Sequence, residues 1–122
     1  MDKTKFGFED LSVWQKAIEF GSKVIRLTEI LETDRKHYRL IEQLENSATS
    51  IAMNIAEGKG RYSKKEFIQY LYIARGSLFE TVTLLIIFNK NKWINDKQLE
   101  EMKISANEIG KMLSGLICSI KQ

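Results

Sequence analysis

Residues 54–67 read NIAEGKGRYSKKEF, and this stretch decides the fold. Gly58 and Gly60 are expected to end one helix, because glycine tolerates the left-handed conformation that helix C-termini favour. Ser63 and Glu66 stand three residues apart, a capping-box pattern that begins the next helix. The stretch therefore predicts a sharp joint between two helices.

Apolar residues recur at three- and four-residue spacing on both sides of this joint. A first helix is expected to begin near Ser12, where Ser12 and Gln15 form another capping-box pattern, and Asn95 is expected to cap a fourth. The predicted inner stripes of the first, second and fourth helices are Trp14, Ala17, Gly21, Val24, Thr28 and Leu31; Ile41, Leu44, Ala48, Ile51 and Ile55; and Met102, Ala106, Ile109, Leu113, Leu116 and Ile120. We expect one all-α domain over residues 1–122, an antiparallel up-down four-helix bundle.

The composition excludes several functional classes. Of the 122 residues, 43% are hydrophobic and 29% charged, as in soluble globular domains. One cysteine, Cys118, excludes an intrachain disulfide, and one histidine, His37, leaves no ligand set for a metal, so we expect neither metal nor cofactor. Residues 1–10 lack a signal-peptide pattern, and the uninterrupted apolar stretch at residues 84–88 is too short to cross a bilayer. We expect a cytoplasmic protein with no membrane partner.

The third helix, from the joint to about residues 89–91, is unusually apolar. Its apolar arc covers roughly two thirds of the circumference, well beyond the ~100° stripe of an ordinary surface helix. Either the helix is central in its own bundle, or one flank packs against another copy of the chain. We favour self-association, because wide exposed apolar patches are rare on soluble monomers. The predicted interface residues are Met53, Ile68, Tyr72, Gly76, Phe79 and Ile86.

The joint is also basic. Residues 59–80 hold five bases and two acids, whereas residues 32–58 hold three bases and five acids. Free backbone N–H groups at a helix start and the helix dipole both favour phosphate, and an aromatic ring offers a stacking surface for a base. The candidate nucleic-acid-binding residues are Lys59, Arg61, Tyr62, Lys64 and Lys65. The alternative is an ordinary solvated basic loop.

Several segments together carry a family resemblance: residues 8–11, 13–17, 54–58, Arg61, 63–67, 71–78, 109–113 and 115–116. With them the chain resembles the four-helix-bundle family of intervening-sequence proteins, encoded within insertions in bacterial large-subunit ribosomal RNA genes. That family is similar to the accessory variability protein of diversity-generating retroelements. The resemblance implies a four-helix subunit, a ring-like homopentamer and nucleic-acid contact through a basic surface, with no established enzymatic activity.

The chain departs from the family pattern at three places. Ala52-Met53 stands where the family has a proline and a small residue, which predicts a straighter second helix. Glu45-Asn46 replaces a basic pair, which weakens the implied RNA contact because phosphate affinity depends on such charges. The usual Phe-Pro turn is missing around residues 32–37.

A set of polar residues is shared with the family signature: Asn54, Glu57, Arg75, Ser77 and Glu80. We expect a structural network in which Glu57 and Arg75 form an ion pair or hydrogen bonds between the second and third helices, or between adjacent subunits. Buried charges need such partners whatever the function. Ligand recognition by these residues is the alternative.

These observations favour a non-enzymatic, homo-oligomeric helical module that binds structured RNA or another nucleic acid through the basic joint. The favoured assembly is the pentamer that the resemblance implies. The alternative is a protein-binding scaffold or accessory subunit, for example for a reverse transcriptase, without nucleic-acid contact. No acid–base pair, activated nucleophile or metal set marks a catalytic site.

Overall fold

The computed structural model describes residues 4–34 and 36–122. Residues 1–3 and 35, which the predicted domain 1–122 also covers, lie outside the described residues. The elements in chain order are a 3-10 helix, Gly7–Asp10, and the four α-helices α1, Ser12–Thr28; α2, Tyr38–Lys59; α3, Lys64–Lys90; and α4, Asp96–Lys121. The predicted all-α class is confirmed, with no strand in the described residues.

The four α-helices form an antiparallel bundle. α1 packs on α2 and α4, and α3 packs on the same two helices, whereas no described Cα atoms of the diagonal pairs come within 8 Å of each other. On α2 and α3 the side chain of Ser47 meets Thr81 and that of Ser50 meets Ser77, so residue numbers rise on one helix as they fall on the other. The predicted up-down bundle is confirmed, while its assembly into a ring stays a prediction.

The inner stripe predicted for α2 is entirely buried. α1 ends at Thr28, so the predicted Leu31 lies beyond it. Leu31 and the predicted Trp14 are only partly buried, whereas Val13, Phe20 and Leu27 of α1 are buried as well. The buried arc of α1 is wider than one stripe because the helix packs against two neighbours. In α4 the core begins at Met102 and its last fully buried residue is Ile117, which the predicted stripe left out.

The helix starts agree with the predicted caps at two of three places. Ser63 Oγ accepts a hydrogen bond from the Glu66 backbone N–H at 3.1 Å, and Asn95 forms a reciprocal capping box with Gln98. The box predicted for Ser12 and Gln15 is wrong, because the amide of Gln15 donates to the Glu9 carbonyl oxygen at 2.7 Å instead. The preceding 3-10 helix presents that carbonyl, and α1 begins at Ser12 without a side-chain cap.

The end of α2 needs no left-handed residue. Gly60 caps the helix with φ −81°, and no glycine in the described part of the chain has a positive φ. The conformational reason predicted for Gly58 and Gly60 is therefore wrong. Gly58 is instead buried in the last turn of α2 against the first turns of α3, where its missing side chain leaves room for close helix packing.

α3 as a whole is long and apolar enough, by length and composition, to cross a membrane. The sequence prediction considered only the uninterrupted stretch at residues 84–88. The central helix of a bundle meets the same criterion, and seven residues of α3 are buried here, among them Leu71, Leu78 and Phe88. In this fold part of the apolar surface of α3 thus belongs to the core, and another part, including Ile73 and Phe79, is exposed.

Candidate nucleic-acid interface

The joint between α2 and α3 brings the predicted basic residues together at one end of the bundle. α2 ends at Lys59, the Arg61 N–H donates to the Gly58 carbonyl oxygen at 3.1 Å, and Ser63 caps α3. The first two residues of α3 are Lys64 and Lys65. Because the chain reverses within four residues, cations from both helix ends are displayed on the same short segment.

Arg61 differs from the other cations because its guanidinium is already bound within the chain. Its Nη2 atom lies 3.0 Å from Glu57 Oε1 and also hydrogen-bonds the Tyr70 hydroxyl. The guanidinium carbon stands 4.8 Å from the centroid of the Tyr70 ring. Arg61 therefore braces the joint, and the Glu57 carboxylate offsets its charge.

The three lysines of the joint are exposed and form no ion pair with another described residue. Lys59 Nζ lies 6.0 Å from the centroid of the Phe67 ring, whereas Lys64 and Lys65 extend from the first turn of α3. Tyr62 is fully exposed, so both faces of its ring are open to solvent. We call Lys59, Tyr62, Lys64 and Lys65 the joint surface.

The predicted pairing of Glu57 with Arg75 does not occur within one subunit. Glu57 pairs with Arg61 instead. The guanidinium carbon of Arg75 lies 4.9 Å from the centroid of the Tyr72 ring, on the side of α3 that faces α4. Glu57 and Arg75 thus lie in different parts of the bundle, and the sequence prediction of a direct contact between them in the monomer is wrong.

A network between α2 and α3 exists, but hydroxyl groups form most of it. Ser50 Oγ and Ser77 Oγ are 2.6 Å apart, and Thr81 Oγ1 lies 2.8 Å from Ser47 Oγ. At the surface the Gln43 amide donates to the Glu80 carboxylate at 3.2 Å, so the predicted Ser77 and Glu80 both join the two helices. The predicted Asn54 stays on its own helix, where its amide donates to the Ser50 carbonyl oxygen.

The residues predicted for the subunit interface lie on two faces. Met53, which is 66% exposed, lines an apolar groove between α1 and α2. The other five lie on α3: Tyr72, Gly76 and Phe79 are exposed, and Ile68 and Ile86 are half-buried. None of the six is fully enclosed by its own chain. The assembly that they would form stays a prediction.

Sequence reasoning missed a groove of about 750 Å³ between α3 and α4. Leu78, Phe79 and Val82 contribute apolar surface from α3, and no carboxylate of the described residues lines the groove. Its cationic lining residues are Arg75, Lys103 and Lys111. The sequence signal for this groove was the four- and three-residue spacing of apolar residues on one side of α3. That this side lies beside lysines of α4 depends on how the two helices pack, which the spacing does not determine.

The described residues hold no group of three or more His, Cys, Asp or Glu side chains that could bind a metal ion. The joint and the groove present cations, hydroxyls and aromatic rings. Such groups bind anions and stack on planar rings.

Comparison with known proteins places this arrangement in a family. The family model described as 23S rRNA-intervening sequence protein matches residues 9–115. The chain belongs to this family. The chain is also similar to a solved structure, that of a protein with unknown function from the S23 ribosomal protein family of Bacteroides thetaiotaomicron VPI-5482. The two are 30% identical with a TM-score of 0.80, and the match covers 86% of this chain and 97% of the other.

A search of the curated proteins gives no match. The family description names no enzymatic activity, and the structural relative has no stated function. The predicted resemblance to the intervening-sequence protein family is confirmed. The biochemical role is proposed below.

Proposed function

We propose that this protein is a non-enzymatic, self-associating helical module that binds nucleic acid, structured RNA in particular, through the joint surface. The observation that supports this most is the juxtaposition of a fully exposed Tyr62 with three exposed lysines that no described carboxylate pairs. Unpaired cations beside a free aromatic face are the groups that bind phosphates and stack on bases.

The positions of the lysines suit contact with a phosphate backbone. Lys64 and Lys65 are in the first turn of α3, where the unpaired N–H groups and the positive end of the helix dipole add to the attraction for an anion. Arg61 holds the turn through Glu57 and Tyr70 and leaves the lysines to contact the ligand. The expected contact is tolerant of sequence, because phosphate contacts carry no base identity.

Self-association would place several joint surfaces, each with a low affinity, on one assembly. Several joint surfaces on one assembly can bind one RNA molecule, so the overall affinity exceeds that of one subunit without any new contact. This also compensates for Glu45-Asn46, which gives α2 an acid where the family pattern has a basic pair.

The test is the salt dependence of RNA binding, measured by fluorescence anisotropy with a labelled RNA hairpin. Reversing two charges in Lys64→Glu/Lys65→Glu should weaken binding and reduce the slope of log K against log salt by about 0.7–0.9 for each phosphate that is no longer neutralised. The matched control is Lys90→Glu/Lys97→Glu, with the same charge change on exposed lysines at the opposite end of the bundle. The proposal is wrong if the joint variant binds like the wild type, or if both variants lose affinity equally.

A further inference from the structure

The side of α3 that faces α4 carries the residue spacing of a second helix–helix seam. Its members follow one another at intervals of four, three, four, three and four residues: Ile68, Tyr72, Arg75, Phe79, Val82 and Ile86. We call them the α3 flank. The period is that of a coiled-coil contact, and the 18-residue separation of its ends spans about 27 Å. Phe79 nonetheless remains 59% exposed, so the bundle's own α4 leaves the seam partly uncovered.

The groove beside the α3 flank has a one-sided charge. Arg75 enters it from α3, and Lys103 and Lys111 enter it from α4. None of the three forms an ion pair with another described residue. The Arg75 guanidinium instead lies against aromatic rings, with its carbon 4.9 Å from the Tyr72 centroid and 5.9 Å from the Phe79 centroid. These cations favour a ligand that brings carboxylates or other anions into the groove.

A complementary surface stands on the outer side of α2. Between Arg39 and Lys59 the chain has three acids and no base. Glu45 accepts a hydrogen bond from Thr28 and Glu57 pairs with Arg61, so Glu42 is the acid that is left for a partner. Four residues of α2 follow the same spacing of four, three and four: the exposed Glu42, Asn46 and Met53 and the half-buried Thr49. We call them the α2 stripe. Met53 provides an apolar side chain that is 66% exposed, and Glu42 is exposed without an ion-pair partner in the described residues.

We propose that the α2 stripe of one copy docks into the α3–α4 groove of a second copy. Met53 would enter the apolar part of the groove beside Phe79, and Glu42 would face the groove cations. This inference specifies the self-association that forms part of the proposed function, and it rests on that part.

The charges favour this pairing of unlike surfaces over a symmetric one. If two copies met groove to groove, Arg75, Lys103 and Lys111 would face the same cations, and two α2 stripes would bring Glu42 against Glu42. Like charges at close range are unfavourable, and burying them without partners costs more still. A contact between two different faces leaves the groove of one copy and the stripe of the other copy free. Such contacts continue until they close into a ring or extend as a filament.

The test is a charge exchange followed by native mass spectrometry and light scattering. Arg75→Glu/Lys111→Glu reverses the groove, and Glu42→Lys/Asn46→Lys makes the α2 stripe basic. Each variant alone should lose the wild-type assembly. Mixing the two should restore assemblies that contain both chains, because each chain supplies the surface that the other lacks and the two altered surfaces also attract.

Controls separate this interface from misfolding and from RNA binding. Circular dichroism should show folded helices in every variant, and restored assembly on mixing would itself demonstrate folded subunits. Lys90→Glu/Lys97→Glu should assemble like the wild type. Dissociated variants should keep a salt-dependent affinity for the RNA hairpin through Lys64 and Lys65, although without the added affinity from multiple sites.

Each other result overturns the docking proposal. A wild-type protein that stays monomeric at micromolar concentration removes it, as does a groove variant that keeps the wild-type mass. If both variants dissociate but mixing restores nothing, the groove and the stripe do not face each other. If the groove variant keeps its mass but loses RNA affinity, the groove binds nucleic acid instead of a second copy.

Discussion

The Cβ atom that Gly58 lacks would lie 2.6 Å from the Cβ atom of Tyr70. Real side chains do not come this close, and the same position would also be 3.3 Å from the Phe67 carbonyl oxygen. At Gly58 the last turn of α2 therefore packs directly on α3 with no side chain in between. Tyr70 is also the ring on which Arg61 lies, so the close approach at Gly58 helps to position the chain that carries the joint surface.

Replacing Gly58 with alanine should destabilise the bundle. The added methyl group must displace α3, and overpacking of this kind typically costs about 1–3 kcal/mol. Urea unfolding followed by circular dichroism should show a lower midpoint with a similar slope. Gly60→Ala is the matched control, because its Cβ atom would lie at an ordinary 3.6 Å from the Glu57 carbonyl oxygen and its φ of −81° suits any residue. Equal stability of the two variants would contradict this account of the joint.

Tyr62 should contribute stacking and no stability. Tyr62→Ala removes an exposed ring, so the free energy of unfolding should stay unchanged while RNA affinity falls. Stacking of one base is worth about 1–3 kcal/mol, or about 5- to 150-fold in the dissociation constant. The salt slope should not change, because every lysine that neutralises a phosphate is still present.

Two further variants make the result for Tyr62 specific. Tyr62→Phe should retain the affinity, since the ring is kept. Tyr38→Ala removes another exposed tyrosine at the start of α2, away from the joint, and should bind RNA like the wild type. A stacking role is refuted if Tyr62→Phe binds as weakly as Tyr62→Ala, or if Tyr38→Ala has the same effect.

The hydroxyl pair of Ser47 and Thr81 should show measurable coupling. Both residues are buried, and their oxygens are 2.8 Å apart. Thr81→Val keeps the shape but leaves the Ser47 hydroxyl with one partner fewer, so we expect the free energy of unfolding to fall by about 1–2 kcal/mol. Ser47→Ala/Thr81→Val should cost less than the sum of the single changes, since the second change removes a group that is already poorly paired. Strictly additive effects in chemical denaturation would show that the pair contributes no coupling energy.

The sequence predicted helix faces better than it predicted side-chain partners. The inner stripe of α2 follows directly from helical periodicity, and the caps at Ser63 and Asn95 depend on residues only three positions away. The pairing of Glu57 with Arg75 needed the relative rotation and register of two packed helices, which spacing along one chain does not determine. A local rule pointed to the observed partner, because Arg61 follows Glu57 by four residues.

In the candidate site too, features set by neighbouring residues could be predicted, whereas features set by helix packing could not. Sequence placed the lysines and Tyr62 in one exposed joint, because they are neighbours along the chain. It included Arg61 among the free cations, although Tyr70, nine residues later, binds it once α3 folds back. The α3–α4 groove could not be predicted, since Arg75 and Lys111 come together only after the two helices have packed.

Gly76 provides a last test, because its effect should differ between the free and the assembled subunit. It lies inside α3, and apart from its chain neighbours and the nearby backbone of its own helix, no atom of the described residues comes within 4 Å of where its Cβ would be. In a dissociated chain, Gly76→Ala should stabilise the helix by about 0.5–1 kcal/mol, as for any exposed helix interior. Gly76 is one turn from Tyr72 and Phe79, so in the assembly the same methyl group should obstruct the neighbouring copy and weaken association.

Two measurements separate these effects. Thermal unfolding of Gly76→Ala in the dissociated Arg75→Glu/Lys111→Glu background measures the change in helix stability. The mass of Gly76→Ala in the otherwise wild-type chain measures the change in association. Gly115→Ala, at an equally open position of α4, should stabilise the chain and leave the mass unchanged. If Gly76→Ala assembles as well as Gly115→Ala, no second copy approaches α3 closely at this point.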